Sequence, residues 1–182
     1  MRYLLLLLAL SCFAHAVVSP QKGQELAIKH IPSLEPLIRL TENPRHEERP
    51  AAQGVLAAYI TGSITSLDDV MKRLQSEAPS TFAAFEPLVK HFKDEFEQLK
   101  IDESRDFVTT ILKRAKSAVA ADLEKGRDVR PSQIALEAKK LAKEVLEGFT
   151  ALSVPAQTDL KSSFSDLFLL VEQSEITMSD LQ

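Results

Sequence analysis

The strongest constraint on this chain is one long amphipathic helix predicted between Asp102 and Gly126. Asp102 lies where an N-cap acceptor is expected, and Gly126 can adopt the positive φ that commonly ends a helix. A helix of about 23 residues is roughly 35 Å long. Its apolar face is too wide to be stable alone in water, so other helices must cover it. That face comprises Phe107, Val108, Ile111, Leu112, Ala115, Val119 and Leu123.

Helix signals occur on both sides of this segment. Ser66 followed by Asp69 resembles a capping box and starts a short helix that Pro79 ends. Pro131 lies at the start of a later helix, and Ser153 caps the last long one. No segment shows the alternation that is typical of strands. The sequence therefore predicts an all-α fold, a single compact domain of about six to eight helices. The helices nearest the N-terminus of the domain are expected at Gln24–Ile31, Ser33–Leu40 and Ala51–Ile60, and Gly62 is expected to end the last of them.

A second long helix, predicted from Ser80 to Lys100, carries four phenylalanines on one face. Pro87 lies inside it and predicts a kink or a break between two helices. Such a stripe fits a solid core, since phenylalanines bury readily. It also fits the wall of an apolar ligand cavity. Periodicity alone favours the core. The stripe consists of Phe82, Phe85, Leu88, Val89, Phe92, Phe96 and Leu99.

Residues 1–16 have the pattern of a secretory signal peptide. Arg2 is followed by the apolar run Leu4–Leu10 and by Ala14-His15-Ala16, which fits the small-x-small cleavage pattern. We therefore expect a secreted, extracellular protein whose helical domain spans residues 17–182. Cleavage would remove Cys12, the only cysteine, so the mature chain would depend on its core rather than on disulfides.

Several function classes are disfavoured. A formal net charge of -4 gives no global basic field for nucleic acid, and no nucleic-acid-reading motif is present. The nucleophile-elbow, zinc-protease and phosphate-loop signatures of enzymes are missing from the sequence, so we expect no catalysis and no cofactor. His91 with Asp94 or Glu95 has a helix-face spacing that could bind a metal. Because that spacing recurs by chance on solvated helix faces, the sequence predicts no metal site.

Four blocks between Leu67 and Phe164 carry a family resemblance. They are Leu74 with Pro79 and Phe82; Glu103-Ser104-Arg105-Asp106-Phe107-Val108; Gly126 with Pro131; and Leu152-Ser153, Ala156, Asp159-Leu160 and Phe164. In order and spacing the chain resembles the nematode fatty-acid- and retinol-binding protein family, which consists of secreted all-helical lipid carriers. Gln157 and Ser165 depart from the family's last block, where lysine and proline are usual.

The resemblance implies a lipid carrier that holds fatty acids and retinol non-covalently in an internal hydrophobic cavity, without catalysis. The apolar stripes supply the candidate cavity walls. They are Phe82, Phe85, Val89, Phe92, Phe96, Phe107, Ile111, Ala115, Leu141, Val145, Phe149, Leu160, Phe164 and Phe168. A carboxylate head group would need a cation near the cavity mouth. The candidates, which lie beside the stripes, are Arg105, Lys113, Arg114, Lys139 and Lys140.

The alternative is a secreted helical protein-interaction module with a solid core and no lipid cavity. The exposure of the apolar surface separates the two hypotheses. An interaction module should expose an apolar patch to solvent, whereas a carrier should enclose its apolar surface in a cavity. We expect a monomer that does not bind nucleic acid. Transient membrane contact during ligand delivery is compatible with either hypothesis.

Overall fold

The computed structural model describes residues 20–42, 47–124 and 131–173. The expectations for the signal peptide, Cys12 and Gly126 lie outside these ranges. In helices that are otherwise described, the side chains of residues 20–23, 41–42, 118–124, 131–139, 142 and 171–173 are not considered.

Within the described ranges the chain forms nine α-helices and one short 3₁₀ turn, and no strand. The expected all-α class is confirmed. The helices are α1 (Pro20–His30), α2 (Glu35–Glu42), α3 (Arg49–Ile60), α4 (Leu67–Glu77), α5 (Pro79–Gln98), α6 (Asp102–Glu124), α7 (Pro131–Ala151), α8 (Val154–Ser163) and α9 (Ser165–Gln173), with the 3₁₀ turn at Pro32–Leu34 between α1 and α2.

The predicted caps of α4 and α8 are confirmed. The Asp69 backbone N–H donates to Ser66 Oγ over 3.1 Å. At α8, the Ala156 N–H donates to Ser153 Oγ over 3.4 Å. Gly62 has a φ of 88°, the left-handed conformation expected where α3 closes. The hydroxyls of Ser66 and Ser153 each accept from a helix N–H group that has no intrahelical acceptor.

Three local predictions need correction. Helix α5 runs through Pro87 as one helix, so the predicted break is absent, whereas a kink there stays a prediction. Both Pro87 and Ala83, whose carbonyl loses its helical partner, are exposed, so water can take the place of the missing bond. The predicted last long helix is instead two, because Phe164 leaves the helical conformation at φ -114° and ψ 43°. Helix α6 already includes Asp102, which therefore lies in its first turn rather than at its N-cap.

Helix α5 lies at the centre of the packing and contacts α2, the 3₁₀ turn, α4 and α8. Its buried face joins α6 and α8 in the larger of two core clusters, around Phe92, Leu112 and Phe164. The smaller cluster joins α3, α4 and α6 around Val55 and Leu74. Phe92, Leu74 and Val55 are fully buried. Helix α9 packs on α1 and α8.

Helix α7 is packed differently from the others. Its close pairing is with α6. Each of its described apolar side chains is only partly buried, namely Leu141, Val145, Leu146 and Phe149. By contrast, Val108, Ile111, Leu112 and Ala115 of α6 are all buried. Among the described residues, α7 therefore has an apolar face that the protein itself only half covers. No helix in the described ranges is both long and apolar enough to cross a bilayer.

Candidate functional site

The start of α6 is joined to α8 by buried and short hydrogen bonds. Glu103 accepts hydrogen bonds from the Ser153 backbone N–H (3.1 Å) and hydroxyl (2.5 Å). The Ser104 hydroxyl, fully buried, donates to the Ala156 carbonyl over 3.2 Å. Asp159 accepts from the backbone N–H groups of Lys100 and Ile101 at 3.0–3.1 Å. These hydrogen bonds hold the start of α6 against α8.

The charges at this junction are stabilised in their ionised forms. The hydroxyl and backbone N–H of Ser153 lower the pKa of Glu103. Burial alone would raise the pKa of Asp159, but hydrogen bonds from Ile101, Lys100 and Ser104, with the charge of Lys100, outweigh burial and lower it. Two of the sequence blocks behind the resemblance thus bond to each other. Their polar members hold α6 and α8 together.

Two aromatic rings from other helices, Phe107 and Phe168, lie against the C-terminal half of α7. Gly148 approaches α6 so closely that a Cβ there would lie 2.8 Å from Cε2 of Phe107. The ring of Phe149 lies 5.1 Å from that of Phe168 on α9, centroid to centroid. Lys161 of α8 places its Nζ 5.8 Å from the Phe149 ring centroid. Residues from α6, α8 and α9 therefore meet around the half-covered face of α7.

The cavity-wall candidates fall into two sets. One set is buried and fills the core: Phe85, Val89, Phe92, Ile111, Ala115, Leu160 and Phe164. The other set is only partly buried: Phe82, Phe96, Phe107, Leu141, Val145, Phe149 and Phe168. Most of the second set lies on or around α7, and these side chains retain apolar surface that another molecule could cover. Their role in binding stays a prediction.

The head-group candidates are placed in different ways. The Arg105 guanidinium donates to the Leu99 carbonyl at 2.5 and 3.0 Å, and so closes the turn between α5 and α6. Arg114 pairs with Glu144 of α7 over 3.1 Å. Lys113 and Lys140 are exposed, and the Lys139 side chain lies outside the described residues.

One cation beside the aromatic group, Lys161, was not among the sequence candidates. It directly follows Leu160, a stripe residue, but lysines flanking a stripe are so common that periodicity could not single it out. The fold brings it to Phe149, which precedes it by twelve positions in the numbering.

A separate polar cluster lies between α5 and α9. Single ligand atoms of His91, Glu95 and Asp166 all lie within 4.8 Å of one another, whereas Asp94 is exposed and not part of the group. His91 Nε2 and Glu95 Oε1 are 3.5 Å apart. Burial, and then the charge of Asp166, raises the pKa of Glu95 to about 8. Sequence spacing offered Asp94 or Glu95 as the partner of His91 and could not indicate Asp166, because Asp166 comes from another helix.

Comparison with known families supports the resemblance over most of the chain. The family model described as nematode fatty acid retinoid binding protein (Gp-FAR-1) matches residues 34–180. No curated protein and no solved structure matches the chain significantly. The matched range includes α2 to α9, and thus both the junction of α6 with α8 and the half-covered face of α7. This all-α chain belongs to the nematode fatty acid retinoid binding protein family.

Proposed function

We propose that this chain carries long-chain fatty acids and retinol non-covalently, in an apolar space between α7 and the helices around it. The observation that supports this most directly is the half-covered face of α7. Leu141, Val145 and Phe149 recur at four-residue steps, and none of the three is fully buried. Phe107 and Phe168 face the same region from α6 and α9. A lipid tail lying along this face would complete the burial.

The expected energetics are sufficient for useful affinity. Each methylene removed from water contributes about 0.8 kcal/mol, so a sixteen-carbon tail gains on the order of 10 kcal/mol before ordering costs. Such a gain requires no specific hydrogen bond. Retinol, which is also long and apolar, would be held by the same burial.

A cation near Phe149 would suit the carboxylate of a fatty acid. Lys161 is exposed and its ammonium lies beside the Phe149 ring, at the end of the proposed binding face. Arg114 is less suited, because it already pairs with Glu144. We therefore place the head group near Lys161 and the tail along Val145 and Leu141.

The distribution of exposed apolar residues favours a carrier over a protein-interaction module. Among the described residues, the large hydrophobic side chains that are exposed are Val154 at 75% and Leu169 at 42%. They lie on two different helices, α8 and α9. A binding patch for another protein would need several such residues side by side. The remaining apolar surface of the described residues belongs to side chains that other helices partly cover.

The proposal also includes the setting in which the chain acts. We infer secretion from the signal-peptide pattern of residues 1–16, and a monomer that binds its ligand without chemical reaction. Transient contact with membranes would allow ligand transfer. These features remain part of the proposal.

The test is a bulky substitution on the proposed binding face. The sequence has no tryptophan, so Val145→Trp adds both bulk and a single fluorophore. We expect it to weaken binding of a fluorescent fatty acid more than about tenfold, because excluding two methylenes loses about 1.6 kcal/mol of burial. Retinol added in excess, to offset the weaker binding, should quench the new tryptophan.

Glu147→Trp is the matched control, since Glu147 is exposed on the same helix. It should bind the probe as the wild-type protein does. Equal binding by both variants would move the site away from α7. A delipidated, helical wild-type protein that gives no saturable signal with the probe, or no displacement by oleate and retinol, would overturn the carrier proposal and favour the interaction module.

A further inference from the structure

The cluster of His91, Glu95 and Asp166 contains polar atoms that the protein leaves without partners. Glu95 is only 8% exposed. Its Oε2 and the Nε2 of His91 are buried and have no hydrogen-bond partner. Buried carboxylate and imidazole groups normally have such partners, because desolvating them without compensation is costly. The two side chains are aimed at each other across 3.5 Å, with Asp166 of α9 completing the group.

We propose that this cluster is a binding site for a zinc-class divalent transition metal ion, held by His91, Glu95 and Asp166. Imidazole nitrogen with carboxylate oxygen suits Zn²⁺ and similar ions, whereas Ca²⁺ and Mg²⁺ prefer oxygen ligands alone. Two carboxylates also balance the charge of a divalent ion. Three protein ligands leave one position for water.

The geometry is close to what such an ion requires. Ligand atoms about 2.1 Å from zinc in a tetrahedral site lie roughly 3.4 Å from one another. The His91–Glu95 separation of 3.5 Å already matches this spacing, and all three ligand atoms lie within 4.8 Å. A small side-chain movement of Asp166 would close the site. His91 and Glu95 are one helical turn apart on α5, so their relative position is set by the backbone.

Metal binding here would connect α9 to the central helix. Among the described residues, α9 packs closely on α1 and α8, whereas its close packing does not include α5. An ion shared by α5 and α9 would add a direct link between them, and would restrain the helix that carries Phe168. This inference concerns a different set of residues from the proposed lipid site and does not depend on lipid binding.

The direct test is calorimetric titration of Zn²⁺ into EDTA-stripped protein produced from the full coding sequence. We expect saturable binding of one ion per chain. His91→Ala and Asp166→Asn should each weaken that binding at least about tenfold, a loss at the low end of that seen when metal-site residues are replaced. Asp94→Asn, an exposed carboxylate on the same helix, should leave it unchanged.

Two further readouts separate a metal site from adventitious binding. Co²⁺ should give visible d–d absorption that is lost in His91→Ala, and Zn²⁺ should slow hydrogen exchange in α9 of the wild-type protein only. Circular dichroism checks that the variants remain helical. Asp166→Asn replaces a partly exposed side chain, so it tests the site even if His91→Ala unfolds. No saturable binding, or binding that is unchanged in both variants, would overturn the proposal.

Discussion

Asp159 shows how one buried carboxylate can fix the relation of two helices. It projects from α8 and accepts hydrogen bonds from the Lys100 and Ile101 N–H groups, just before α6 begins. Those N–H groups precede the first turn of α6 and have no intrahelical acceptor. Asp159 therefore ties the turn before α6 to α8.

At this residue we predict that Asp159→Asn lowers the free energy of unfolding by about 2 kcal/mol at pH 7, the typical worth of hydrogen bonds to a charged group. Because the folded state lowers the pKa of Asp159, its contribution is complete above the usual aspartate value of 3.8 and is lost as the pH falls through the lowered one. The difference between wild type and variant should therefore shrink below about pH 3.8.

Urea denaturation at several pH values measures this difference, with Asp106→Asn as the control. Asp106 is an exposed carboxylate in α6, so its replacement should change stability by no more than a few tenths of a kcal/mol. A difference between wild type and Asp159→Asn that stays constant from pH 7 to pH 3 would contradict the assigned role of the charge.

At the scale of helices, the contact of α6 with α7 is set by a glycine. Gly148 admits the Phe107 ring, and a Cβ there would lie 2.8 Å from it. Gly54 in α3 is the matched case, since a Cβ at that position meets nothing within 4 Å. Both glycines lie inside helices, where alanine is favoured by about 1 kcal/mol.

We predict that Gly54→Ala stabilises the protein by about 1 kcal/mol, whereas Gly148→Ala gives no gain because the Phe107 ring must move. Adding Phe107→Leu should remove the overlap and restore the gain, so a double-mutant cycle should give a coupling of about 1 kcal/mol. Urea denaturation of the four variants provides the values. Equal gains at Gly54 and Gly148, with no coupling to Phe107, would show that α6 and α7 are not held at this distance.

Helix ends were predictable where a local side chain determines them. Ser66 and Ser153 cap α4 and α8 through residues three positions away, and Gly62 ends α3 through its own φ. Tertiary packing determined the helix ends that were predicted wrongly. Phe164 is buried and breaks the predicted last helix, and the exposure of Pro87 on the solvent side lets α5 continue.

At the scale of the whole molecule, the fold class followed from the sequence but the candidate site did not. Phe82, Phe85, Phe92 and Phe96 share one helical stripe, and yet Phe85 and Phe92 are buried while Phe82 and Phe96 are only partly so. Periodicity shows which side of a helix faces inward. It does not show how completely the other helices cover that side, which depends on how α7 packs.

The incomplete burial of α7 has a consequence for the behaviour of the whole protein. A helix with few buried apolar contacts should open locally at a lower free energy than the central helices. A ligand that covers its apolar face should stabilise the folded protein by mass action, by about 2.7 kcal/mol at a hundred times the dissociation constant. The free energy of local opening should increase most in the residues of α7 that contact the ligand.

We therefore predict that saturating oleate slows amide hydrogen exchange in residues 140–150 of α7 more than in α5, whose central residues are already buried. In α5, Leu88 and Phe92 are fully buried without a ligand. Hydrogen exchange followed by mass spectrometry, with and without oleate, measures the slowing in each helix. Glu147→Trp should behave as wild type, and Val145→Trp should need a higher oleate concentration to give the same slowing. Uniform slowing in α5 and α7 would mean that oleate stabilises the folded state without lying against α7, and the binding site would have to be sought among the other partly buried side chains.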